Sequence, residues 1–167
     1  MDAIIFVVDA FLLRVLLPLA HADFRNPLAQ AVLALTSWLV MPLRRVLPPI
    51  GRLDTASVVA LLLVQSGATL AIFRLQYGAL LPFAPLAATA LRSLLLSLLL
   101  LYTVLIFIYA LLSFVAPGAR SPATALLASL CEPVLMPLRR VLPMVGGLDF
   151  SPLVAIIGLQ ALRILIG

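Results

Sequence analysis

Long apolar runs organise this chain, and strictly alternating segments are not what it shows. Four runs read as helices suited to hydrocarbon: Ala3–Ala20, Ala56–Phe73, Leu94–Val115 and Pro152–Ile166. Crossing a bilayer takes ~20 residues, with ~17 as the lower bound. The fourth run is short by that measure, so it borrows Phe150 and Ser151 or sits in a locally thinned bilayer. Asp2 precedes the first run, where a secretion signal would be basic, and the run carries Asp9 and Arg14 inside it. It therefore reads as a retained first membrane helix.

Two shorter runs stand between the long ones. PLAQAVLALTSWLV covers 27–40 and PATALLASLCEPVL covers 122–135. Each opens with Pro after a residue that suits an N-cap, Asn26 or Ser121. Each is expected to stop at the next prolines, Pro42 in the first and Pro133 and Pro137 in the second. Fourteen residues rise ~21 Å, short of a ~30 Å hydrocarbon core. The pair reads as interfacial or re-entrant helices. The rival reading makes each a full span, which inverts the second half relative to the first.

The same turn follows both short runs. MPLRRVLPPIGRLD (41–54) and MPLRRVLPMVGGLD (136–149) agree at 11 of 14 positions, in register at an offset of 95. The expected fold is all-α and polytopic, with two tandem repeats of two transmembrane helices plus one short interfacial or re-entrant helix. Residues 1–75 form the first repeat and 92–167 the second, joined by a linker, 76–91, in which Pro82 and Pro85 break any continuous helix. An even number of crossings gives both repeats the same orientation, a parallel repeat.

Composition agrees with lipid as the solvent. Hydrophobic residues are 65% of the chain and charged residues 10%, against roughly 45–50% and 25% in soluble domains. A chain of 167 residues has too little interior to hide so much apolar surface. All eleven basic residues are Arg. They come in ones and twos at the ends of apolar runs, which fits headgroup phosphates better than a nucleic-acid surface. Seven of them (Arg25, Arg44, Arg45, Arg52, Arg120, Arg139, Arg140) fall on the motif side and three (Arg74, Arg92, Arg163) on the other. That bias puts the motif turns in the cytoplasm and both termini outside, which in a bacterium means the periplasm.

The candidate chemistry lies in the twin motif and in a few polar residues within the runs. Arg44-Arg45 and Arg139-Arg140 sit at helix C-termini, where the dipole favours cations. Their guanidinium forks suit phosphate. Gly51 and Gly146-Gly147 permit a sharp reversal, and Asp54 and Asp149 stand where they can cap the next helix. Either this motif only turns an interfacial helix back into a span, clamped to lipid phosphate, or it also presents arginines and aspartates to a partner, ion or cofactor. Gln65 and Gln160 correspond across the repeat. An amide in hydrocarbon needs a partner, so each is an inter-helix hydrogen bond or a polar step on an ion path. Asp9 and Arg14 are intramembrane charges and so functional candidates, although Tyr109 replaces Arg14 in the second copy. His21 is the sole histidine and Cys131 the sole cysteine. Neither supports a bound metal or cofactor, and no catalytic motif appears. Membrane lipids are the expected partners, with another membrane protein or a second copy of the chain as further candidates.

The string PLRR-x-x-P-P-x-G-x-x-D, its tandem copy, and the stretches Asn26–Gln65 and Ser121–Gln160 around it resemble the YggT family of small bacterial and plastid membrane proteins. The first copy departs from the family pattern, with Thr36-Ser37-Trp38 where Thr-Glu-Pro is usual. The second keeps Glu132-Pro133 but has Cys131 for Thr and Met144 for the second Pro. The resemblance implies an inner-membrane accessory protein, not an enzyme, supporting ion and osmotic homeostasis. The alternative it implies is a scaffold or assembly factor in cytochrome and haem maturation or cell division.

Overall fold

A computed structural model describes residues 2–49, 54–78, 82–115, 118, 121–142 and 149–167. Among them the chain is all-α, with six helices: α1 Asp2–Leu19, α2 Pro27–Arg44, α3 Thr55–Tyr77, α4 Phe83–Val115, α5 Pro122–Val141 and α6 Ser151–Ile166. Gly51, Gly146 and Gly147, expected at the reversals, lie outside the described residues.

Both expected N-caps form. The Asn26 side-chain carbonyl accepts from the Leu28 N–H at 3.0 Å. Ser121 and Thr124 satisfy each other's backbone donors in a capping box. α3 ends at Gly78, whose φ of 69° lets its N–H reach the Arg74 carbonyl at 2.9 Å. Glycine takes that left-handed conformation without a steric penalty.

The prolines do not stop the short helices. α2 runs 18 residues with Pro42 inside it, and α5 runs 20 with Pro133 and Pro137 inside. The reason is side-specific packing. Leu127, Leu130, Cys131 and Leu135 recur at helical spacing and are buried, while Pro133 and Pro137 lie on the exposed side. Each proline removes one backbone bond, and the buried stripe holds the helix on course through the gap. The two helices rise ~27 and ~30 Å, so length alone does not keep them out of the bilayer.

The expected linker is also largely helical. α4 starts at Phe83 instead of Leu94 and spans 33 residues. Pro85 falls in its first turn, where a missing N–H costs nothing because no intrahelical acceptor exists there. Pro82 precedes the helix and accepts from the Leu86 N–H at 3.0 Å.

Two helices, Thr55–Tyr77 and Ala84–Val115, are long and apolar enough to cross a membrane, and α6 is a shorter apolar helix. Only 28% and 22% of the most apolar windows of those two are buried. Phe6, Trp38, Phe114, Ile164 and Leu165 are exposed as well. In water such a surface would aggregate.

The chain packs as two units, Met1–Leu19 with Ala31–Leu98, and Ala20–Gln30 with Leu99–Gly167. In the first, α1 packs on α3. Ala56 and Ala60, fully buried and one turn apart on α3, permit close approach. Phe11, Leu12 and Leu17 fill the α1 side of the buried layer. In the second, Ile106 of α4, Cys131 and Leu135 of α5 and Ala155 of α6 form the core.

Candidate functional site

The twin motif closes in the same way in both copies. Arg44 pairs with Asp54, its Nε donating to the carboxylate at 3.2 Å and Nη2 adding a second bond. Arg139 Nε donates to Asp149 at 2.7 Å. Both pairs span ten positions, so the first arginine of each doublet ties the helix end before the turn to the start of the helix after it. The second arginine makes no such tie. Arg45 and Arg140 are exposed and form no ion pair among the described residues. The equal treatment of four arginines expected from the sequence thus resolves into one structural and one outward-facing arginine per turn.

The expected capping role of the aspartates differs between copies. Asp54 makes no side-chain cap bond to α3 and instead accepts from the Ser57 hydroxyl at 2.6 Å. Asp149 accepts from the Ser151 N–H at 2.9 Å. Burial raises the pKa of the Asp54 carboxyl, but hydrogen bonds from Arg44 and Ser57 and the Arg44 charge outweigh it and hold the carboxyl below the usual range. Burial likewise opposes ionisation of Asp149, and hydrogen bonds from Ser151 and Arg139 together with the Arg139 charge overcome it.

Arg14 is neither snorkelled to the surface nor paired with Asp9. It is 4% exposed. Its Nε donates to Ser57 Oγ at 3.1 Å, and Nη1 donates to the Leu33 carbonyl at 2.9 Å, Thr36 Oγ1 at 2.7 Å and Ser37 Oγ at 3.2 Å. One guanidinium of α1 thereby fastens α2 and α3. Through Ser57 the chain continues to Asp54 and then Arg44. The buried cation is therefore linked to its nearest hydrogen-bonded carboxylate by one hydroxyl. The sequence marks Thr36 and Ser37 only against the family pattern, not as partners of Arg14, and it does not mark Ser57. The signal available was Ser37, a hydroxyl where the second copy has Glu132.

A cleft of about 260 Å³ opens elsewhere in the first unit. The start of α1 contributes Ile4, Ile5 and Val8. The second half of α3 contributes Gln65, Thr69 and Gln76, and the first half of α4 contributes Thr89, Ser93 and Ser97. Their spacing, 65-69-76 on one helix and 89-93-97 on the other, puts each polar set on one face. This paired stripe was legible in the sequence only by looking for hydroxyls at helical spacing inside apolar runs. Gln65 is buried, and its Nε2 donates to Thr69 Oγ1 at 3.4 Å. Its side-chain carbonyl oxygen is buried without a hydrogen-bond partner, as is one carboxylate oxygen of Asp9. Gln160 is half-buried on α6.

A larger cavity, about 710 Å³, belongs to the second unit and is lined by Asp23, Arg25, Tyr109, Ser113, Ser121 and Thr124 among others. Asn26 donates to the Pro122 carbonyl beside it. His21 sits in the left-handed region at φ 53°. Among the described residues no group of three or more His, Cys, Asp or Glu could hold a metal ion.

Comparison with known proteins agrees with the motif. The CCB3/YggT family profile matches residues 3–75 and 88–167. A Pseudomonas aeruginosa protein is 39% identical over 162 residues, covering 93% of this chain and 79% of its own. YggT of Escherichia coli is 34% identical over 152 residues, 91% and 78%. A Vibrio alginolyticus protein named for its position in the proC 3' region is 37% identical over 157 residues, 93% and 84%. None of these names carries an activity, and no solved structure matches. With the profile across both halves and relatives of this identity and coverage, the chain belongs to the CCB3/YggT family.

Proposed function

We propose that the chain is a multi-pass protein of the bacterial inner membrane, built of two tandem repeats in parallel orientation, that supports ion and osmotic homeostasis as an accessory and not as an enzyme. The observation that carries this reading is the cleft. Gln65 is buried at its inner part, and burying an amide gains less than burying methyl groups, so packing alone does not account for it. The cleft suits a membrane protein that handles water or small ions. Deleting the gene from its host is expected to slow growth and lower cell potassium content after a hyperosmotic shift, with both restored by the wild-type chain. Unchanged growth and ion content in the deletion strain would remove this reading.

The exposed Arg45 and Arg140 favour a second reading, a scaffold that docks a partner or anionic lipid at the cytoplasmic face. Both readings place the motif turns inside the cell. A C-terminal alkaline phosphatase fusion is then active and a C-terminal fluorescent fusion dark. The reverse pattern overturns the orientation.

A further inference from the structure

We infer that the cleft between α1, α3 and α4 of the first unit is a binding site for a monovalent cation, with the side-chain carbonyl of Gln65 as its innermost ligand. This deepens the ion-homeostasis reading and rests on it. Gln65 stands at the middle of the 23-residue α3, and the cleft follows that helix from Gln65 to Gln76, ~16 Å at the helical rise. It therefore follows α3 from its middle toward its C-terminal end.

The polarity of the site selects its occupant. Gln65 Oε1, the buried atom without a partner among the residues lining the cleft, is an acceptor. One N–H of the Gln65 amide donates to Thr69 Oγ1. An anion would meet the unpaired oxygen and be repelled. A cation or a donor is what this atom lacks. No charged side chain lines the cleft. Divalent ions are held by carboxylates at such sites, whereas rings of neutral oxygens replace the hydration shell of monovalent ions. Gln65, Thr69, Ser93 and Ser97 line the cleft with neutral oxygens of that kind, and Gln76 and Thr89, also lining it, are exposed. The 260 Å³ volume accommodates an ion with part of its water shell, since a liquid water occupies about 30 Å³.

The site is specific to the first half. Position 164, which corresponds to Thr69, is Ile, and position 160 keeps only the glutamine. Gln160 is thus the internal control.

The test is the unfolding midpoint of the full-length protein in nanodiscs, in NaCl, KCl or N-methyl-D-glucamine chloride at equal ionic strength. One of the two alkali ions is expected to raise the midpoint by about 5 °C at saturation. The rise disappears in Gln65→Met and persists in Gln160→Met. If Gln65→Met does not fold, Ser93→Ala/Ser97→Ala takes its place and shifts the half-saturating concentration upward by about tenfold. No cation-specific rise in the wild type, or a rise unchanged by these substitutions, overturns the site and leaves water as its content. A cation-specific rise with no osmotic or potassium phenotype in the deletion strain keeps the site and removes the physiological role.

Discussion

Replacing Asp54 with Asn is expected to lower the unfolding midpoint in detergent far more than replacing Asp149 with Asn. The two residues hold equivalent positions at the offset of 95 and each accepts from one motif arginine. They differ in what lies behind them. Asp54 serves Arg44 directly and Arg14 through Ser57, and Arg14 is buried. Neutralising Asp54 leaves a buried guanidinium with hydroxyls and a carbonyl but no nearby counter-charge. Breaking a buried pair costs about 3–5 kcal/mol. Solvent around Arg44, whose side chain is 52% exposed, reduces this to about 2–3 kcal/mol, or about 5–10 °C for a chain of this size. Asp149 accepts from a part-exposed Arg139 and from the Ser151 N–H, with Tyr109 standing where the first half has Arg14. Its loss costs under about 1 kcal/mol. Adding Arg14→Met to Asp54→Asn should restore much of the deficit, because the uncompensated charge goes with it. Equal losses at Asp54 and Asp149, or no rescue, would show that Arg14 does not depend on Asp54. The pH dependence follows from the depressed carboxyl. Its contribution is fully present above the ordinary value of 3.8 and fades as pH falls through the lower folded-state value. The wild type thus loses stability below about pH 4 by an amount that Asp54→Asn does not lose.

The second large effect separates the arginines of each doublet. Arg45→Gln/Arg140→Gln should leave the unfolding midpoint nearly unchanged and weaken retention of phosphatidylglycerol over phosphatidylcholine. Each arginine near an anionic surface contributes about 1 kcal/mol, so losing two reduces that preference by about thirtyfold. Arg44→Gln/Arg139→Gln should do the opposite, lowering the midpoint through the opened turns while sparing much of the lipid preference. Lipid selectivity measured by native mass spectrometry from mixed nanodiscs distinguishes them. If both double variants lose the same lipids, the division of roles between first and second arginine is wrong.

What the sequence determined is what depends on neighbours along the chain. Apolar runs place the six helices, because a helix satisfies its own backbone and its side-chain solvent is read from composition. Asn26 and Ser121 were legible as caps, since a cap acts within three residues. The tandem motif was legible by identity alone. The tertiary structure decided whatever needed contacts between helices. Pro42, Pro133 and Pro137 read locally as stops, yet packing of the opposite face of α5 carries that helix through its two prolines. Arg14 reads locally as a charge in search of the surface, and three hydroxyls from two other helices keep it inside. Gln65 was marked by its cost in hydrocarbon, but the oxygens facing it come from another helix, 24 to 32 residues further along the chain. Local propensity reports the energy of a segment against solvent. It holds no information about a partner atom brought near by folding, and that partner determined the fate of each of these residues.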